Sequence, residues 1–162
     1  MANDNLTVGS FLMISDDGTT YTILDDIVSY PDMGSAPEQI DVTNLSDSMM
    51  RSMLGLQSVD LLEFPVALRA DRFGVVKTLE ASKATKHLAL VFGGTQNNDG
   101  TIIPTGSLGV LKWDGQISGR VTGGGVNEKR AATITASVMT PMPFFADATA
   151  AGVTIGNGYY TA

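Results

Sequence analysis

The stretch LKWDGQISGRV, residues 111–121, decides how the rest of the chain is read. Its odd positions are Leu111, Trp113, Gly115, Ile117, Gly119 and Val121; its even positions are Lys112, Asp114, Gln116, Ser118 and Arg120. Side chains along a β-strand point alternately to opposite faces, so this period of two predicts an antiparallel strand with one buried and one wet face. Residues 132–138, ATITASV, repeat the pattern with Thr133, Thr135 and Ser137 on the polar side. The intervening TGGGVN, residues 122–127, is a flexible hairpin connection. Residues 58–68 alternate too, with Leu62, Phe64, Val66 and Leu68 on one face, and Glu63 and Ala67 on the other. Pro65 has no N–H to give to a ladder, which assigns it to a sheet edge or an irregularity.

Earlier strands are expected over residues 6–14, 21–30 and 39–43, with SDDG, residues 15–18, as a turn between the first two. The short apolar run 87–92 reads as a buried strand. Residues 71–83 read as a helix, with Asp71 as N-cap, Phe73, Val76 and Leu79 on one face, and Lys83 and Lys86 near its C-terminal end. The expected fold is mainly β, an antiparallel β-sandwich with one flanking α-helix and a long hairpin loop, as a single domain over residues 1–162. The small, Gly-rich residues 146–162 are expected to be irregular or a last arm.

A chain of 162 residues is long enough to bury a core without covalent staples. The absence of cysteine removes disulfides, thiolate metal sites and a cysteine nucleophile. Neither a leader pattern nor a run of 18 apolar residues occurs, so no membrane association is expected. Together these predict a soluble chain assembled in a reducing cytoplasm. Charge is unevenly placed: Asp4, Asp16, Asp17, Asp25, Asp26, Asp32, Glu38, Asp41 and Asp47 precede the first basic residue, Arg51, in a chain of net charge −7. Such a balance opposes tight binding to a phosphate backbone, which needs Lys and Arg to displace counterions.

Chemistry finds little support. His87 is the sole histidine and opens an apolar run, which favours a structural role at a strand edge. Asp16-Asp17-Gly18 and Asn97-Asn98-Asp99-Gly100 resemble pieces of calcium loops but lack the alternating ligands and closing Glu, and Asx-Gly turns account for both. Gly123-Gly124-Gly125 lacks the Lys-Ser/Thr ending of a phosphate cradle. Trp113, the sole tryptophan, lies on an apolar face, so an aromatic sugar platform is not favoured. No catalytic residue, metal or cofactor is expected. A monomeric β-sandwich module that uses its acidic turns for calcium or glycan is the alternative from a different class.

One segment remains, EQIDVTNLSDSMMRSMLGLQ, residues 38–57. As a helix it would place Leu45, Met49 and Met53 on one stripe, with Asn44 and Asp47 imitating a capping box. It can equally be the long tip of a hairpin joining 39–43 to 58–68, carrying Met49, Met50, Met53, Leu54 and Leu56 as an apolar patch that meets another subunit. Residues 37–48, PEQIDVTNLSDS, followed by Arg51 and Leu54-Gly55-Leu56, resemble the pattern of major tail tube proteins of long-tailed bacteriophages. The helix after Asp71 and the strand WDGQISGRV follow in that family's order, so the resemblance covers roughly residues 35–140. It implies protomers that form hexameric rings stacked into a hollow tube, through which DNA passes without specific binding. The partners it implies are other copies of the chain and the tail tip or baseplate, terminator and tape measure proteins, in a virion assembled in a bacterial cytoplasm. An inner tube of a contractile tail or secretion-like device shares the pattern.

In that setting the loop 44–57 reaches the next ring through Leu45, Asp47, Met49, Met50, Arg51, Met53, Leu54 and Leu56. Met49, Met50 and Met53 replace the family's commoner small polar, aromatic and Ile or Val residues. Alternation nominates Asp41, Glu63, Asp114, Gln116, Ser118, Thr133 and Thr135 as facing the lumen, with Lys112 and Arg120 on the face of Asp114. Four strands from each of six protomers would close a barrel of about 24 strands, wide enough for an aqueous channel. A negative wall would let nucleic acid slide.

Overall fold

The computed structural model describes residues 9–161. In chain order the strands and helices are β1 (Ser10–Ser15), β2 (Thr20–Asp25), β3 (Gln39–Asp41), β4 (Ser52–Leu54), β5 (Leu62–Ala67), α1 (Ala70–Ser82), β6 (Lys86–Gln96), β7 (Ile102–Gly115), β8 (Ile117–Val121), β9 (Ala131–Ala136), β10 (Phe144–Phe145), α2 (Ala148–Ala151) and β11 (Thr154–Tyr159). They build a six-stranded sheet in the order β10-β7-β6-β1-β2-β11, a three-stranded sheet in the order β5-β9-β8, and the separate β3-β4 hairpin. All pairings are antiparallel except β11 on β2.

The main core lies between the two sheets. Leu12, Ile14, Leu24, Leu88, Leu90 and Trp113 from the larger sheet meet Leu62, Phe64, Val66, Ile117 and Ile134 from the smaller, and Val76 and Leu79 of α1 close one side. Burial on this scale is the main stabilising term of the fold, at about 25 cal/mol per Å² of apolar surface removed from water. A second cluster covers the opposite face of the larger sheet, where Met13, Tyr21, Ile23, Ala89, Val91 and Val110 pack against Ala151, Val153 and Ile155. The six-stranded sheet is therefore buried on both faces, and the three-stranded sheet on one.

Residues 111–121 form two strands instead of one. The chain bends at Gln116 and passes from the larger sheet to the smaller, keeping Leu111, Trp113 and Ile117 against the same core. Gly115 is required at this corner, because a Cβ there would lie 1.9 Å from the Ser137 carbonyl oxygen. In a sandwich, a strand that changes sheets keeps its inner face but exchanges one outer face for the opposite one.

Several expectations are corrected in detail. The strand expected over 21–30 stops at Asp25, and Ile27 makes only an isolated bridge to Val66. Of the strand expected over 6–14, residues 6–8 lie outside the described residues, and the remainder matches β1. The helix begins one residue before Asp71, which sits in its first turn; Arg69 occupies the N-cap without a side-chain hydrogen bond, and Lys83 ends the helix in the left-handed region (φ 51°). Residues 146–162 are more ordered than expected: α2, with the Asp147 carboxylate accepting from the Ala150 N–H at 2.6 Å, leads into β11 on the edge of the larger sheet. Pro65 stands on β5, an edge strand, and the Asn97–Gly100 turn joins β6 to β7.

Candidate assembly interface

The segment 38–57 forms neither the short helix nor a hairpin with 58–68. It folds back on itself, with Gln39 opposite Leu54, Ile40 opposite Met53 and Asp41 opposite Ser52. Bonds at both ends hold it: Gly55 N–H to the Glu38 carbonyl at 2.6 Å, and Val42 N–H to the Arg51 carbonyl at 3.0 Å. At the tip the capping-box residues act without a helix behind them. The Asn44 N–H donates to the Asp47 carboxylate at 2.9 Å, the Asp47 N–H donates to the Asn44 carbonyl at 3.0 Å, and the Asn44 side chain accepts from the Ser46 N–H at 3.1 Å. A short helix draws its stability from packing an apolar face, and Leu45, Met49 and Met53, which would form that face, are exposed. Arg51 reaches Asp47 at 3.4 Å, a surface pair of small worth.

What the arm presents is apolar. Leu45, Met49, Met50, Met53, Leu54 and Leu56 are 55–108% exposed, and Ile40 is 47% exposed. Among the described residues, hydrogen bonds of residues 38–56 stay within the arm. At its root Gln57 and Ser58 are tied to Ser35, whose hydroxyl donates to the Ser58 carbonyl. A two-stranded hairpin alone is marginally stable in water, and contiguous exposed apolar patches mark sites of association.

The polar positions nominated for a lumen fall into four places. Glu63, Ser118, Thr133 and Thr135 share the outer face of the three-stranded sheet: Glu63 pairs with Thr135, Ser118 with Thr135, and Arg120 with Thr133. Thr133, on the central strand, is only 6% exposed beneath its neighbours. Asp114 lies on the far side of the molecule, on β7, where its carboxylate is 2.7 Å from His87 Nδ1. Gln116 marks the corner and donates to the Lys83 carbonyl at 3.0 Å, and Asp41 lies on the arm, held below the usual carboxylate range by hydrogen bonds from Thr43. Because the corner reverses the outer faces, Lys112 stays with Asp114 while Arg120 stands with Glu63, at 3.2 Å. One acid and one base thus offset each other, so this face is close to neutral rather than negative.

The acidic turns are occupied by their own backbone. Asp17 Oδ1 accepts from the Thr19 N–H first, then the Thr20 N–H and the Ser15 hydroxyl, at 2.8–3.0 Å, which holds its pKa far below the usual range. Asp99 Oδ1 accepts from Thr101 N–H and hydroxyl. Among the described residues no three His, Asp or Glu side chains gather as a metal site, and no helix is long and apolar enough to cross a membrane.

Residue patterning misses two features. One is the backbone of the sheet edges, β5 and β8, whose outward peptide groups no side-chain period reports. The other is the C-terminal lock. Tyr159 bonds Asp26 at 2.8 Å through its hydroxyl beneath Arg69 and Arg72, and Arg72 donates to the Tyr160 carbonyl at 2.7 Å. Paired tyrosines near the end of a Gly-rich segment were the available signal.

No family model matches the chain, and no curated protein matches it in sequence. The fold has a solved counterpart. A chain of the cryo-EM sheath–tube complex of an extracellular contractile injection system, PVC, in its extended state, is similar over 87% of this chain and 90% of that one, with a TM-score of 0.58 and 11% identity. At that identity the likeness shows the fold alone, which is mainly β in curled sheets.

Proposed function

We propose that this chain is a structural, non-catalytic protomer that assembles into stacked hexameric rings, forming the hollow tail tube of a bacteriophage through which the genome leaves the particle. The observation that carries this reading is the arm 38–56, a self-contained apolar hairpin held away from a protein whose own core is complete. Its Met and Leu side chains are adaptable anchors for the ring above or below. Around the ring, protomers join through the edges of the three-stranded sheet, which abolishes those edges and makes its Ser, Thr, Glu and Arg face the channel wall. Three strands from each of six protomers give a barrel of about 18, the size at which porins already hold an aqueous channel. A wall of short polar residues with paired charges gives a phosphate backbone nothing to grip.

The PVC likeness favours a second reading, the inner tube of a contractile injection device, which would share assembly but not cargo. Negative-stain imaging of the concentrated protein tests both. Rings or tubes support assembly, and a chain monomeric at every concentration defeats it. Co-expression with neighbouring genes separates the two, since a sheath around the tube points to the contractile form.

A further inference from the structure

The edge of β8 is covered by two side chains of α1. At the ends of this strand the Ser137 N–H donates to the Gln116 carbonyl and the Thr122 N–H to the Ala131 carbonyl, at 2.9 and 3.1 Å. Peptide direction alternates along a strand, so Ser118 and Arg120 bond to β9, while the N–H and C=O of Ile117, Gly119 and Val121 point out of the sheet. Gly119 is the middle of that edge. Its carbonyl accepts from Lys77 Nζ at 2.6 Å, its N–H faces Glu80 Oε2 at 3.4 Å, and Lys77 and Glu80 bond each other at 2.8 Å. Lys77 first, and then the Gly119 N–H, hold the Glu80 carboxyl below its usual range. The helix lies this close because Gly119 lacks a Cβ, which would sit 2.8 Å from Val76 and 3.1 Å from Phe73.

We propose that Lys77 and Glu80 form a guard that closes the β8 edge of the free protomer to the β5 edge of a second copy, and that ring closure displaces it. The inference rests on the tube reading above. β5 and β8 both run antiparallel to β9, so rotation about a ring axis brings β8 of one copy beside a parallel β5 of the next. In a parallel ladder alternate residues give both their N–H and their C=O to the neighbour, and Gly119 has both engaged by the guard. The opposite edge carries a milder block of its own: Pro65 has no N–H, and its carbonyl accepts from the Val28 N–H at 2.8 Å. The guard side chains are 49% and 40% exposed, so they can swing into water without unpacking Val76 or Leu79 from the core. Unpaired edges are a standing hazard for a free β protein, and a charged pair on the edge is a known means of blunting them.

The test compares the concentration at which rings appear, by light scattering and negative-stain imaging, for the unaltered protein and for Lys77→Met/Glu80→Gln. Both replacements keep side-chain length, and circular dichroism checks folding; if the pair unfolds, Lys77→Met alone is measured. The expected result is rings at about fivefold lower concentration, the order of a half-exposed pair, with faster amide exchange at Gly119 in the unassembled variant and protection of that amide in rings of either protein. Lys77→Arg, which keeps the donor, should restore the original threshold. An unchanged or higher threshold, or irregular aggregates in place of rings, overturns the guard while leaving the tube reading intact. Absence of rings from the unaltered protein at any concentration overturns the tube reading and the guard with it.

Discussion

Two peripheral segments, the arm 38–56 and the C-terminal residues 144–161, resemble each other in size and in their content of small and apolar residues, yet one is tied down and the other stands free. The C-terminal segment is held by distant partners. The Tyr160 N–H donates to the Ile23 carbonyl at 2.8 Å, its hydroxyl to Asp16 at 2.8 Å, and Tyr160 is 8% exposed. Lys86 bonds the same Asp16 at 2.6 Å. The arm bonds to itself and leaves eight apolar side chains exposed to water. A protein tolerates such a patch when another surface covers it, so under the proposed function the contrast separates what serves the protomer from what would serve an assembly.

Substitutions in the two segments should therefore divide cleanly. The largest expected effect on stability is from Tyr160→Ala, which empties a buried aromatic site and frees β11: about 3 kcal/mol, a fall in Tm of roughly 6–12 °C, with limited proteolysis releasing the tail. Met50→Asp and Leu54→Asp should leave the Tm of the monomer within about 2 °C, since exposed substitutions cost about 0.5 kcal/mol or less, but should stop tube growth; normal tubes from both variants under the microscope would erase the contrast. Asp16→Asn should change how stability depends on pH. Lys86 chiefly, then Tyr160, lower the folded pKa of Asp16 below its ordinary 3.8, so its contribution is present above that value and is lost as pH falls through the folded one. The variant should lose stability near neutrality and show a flatter acid limb in thermal melts. Smallest is Asp47→Ala, which removes a surface pair and a turn bond at the arm's tip. The monomer's stability should change by no more than about 0.5 kcal/mol, and a large drop would mean that the arm is part of the protomer's own fold.

Strand existence was legible wherever one face is buried and the other wet, as in Glu63 against Phe64 or Thr135 against Ile134, because period two then reports the environment directly. The turns at residues 15–18 and 97–100 were legible from their Asx-Gly chemistry. Residues 111–121 misled because alternation continues unbroken through a corner: the core side stays in register while the outer side changes sheets, so Asp114 and Ser118 were grouped on one wall although they end on opposite ones. The returning strand of the arm, Ser52–Leu54, was hidden because none of its side chains is buried, which leaves no pattern to read. The guard on Gly119 was invisible for a different reason. It depends on helix and strand residues about 40 positions apart meeting at a backbone, and no spacing rule encodes that.

The most direct test of the central claim is negative-stain imaging of the purified protein across a concentration series, side by side with Met50→Asp. Rings and stacked tubes are expected for the unaltered chain, and folded protomers that do not stack for the variant. A chain that stays monomeric throughout, or a variant that builds tubes as readily as the original, would contradict it.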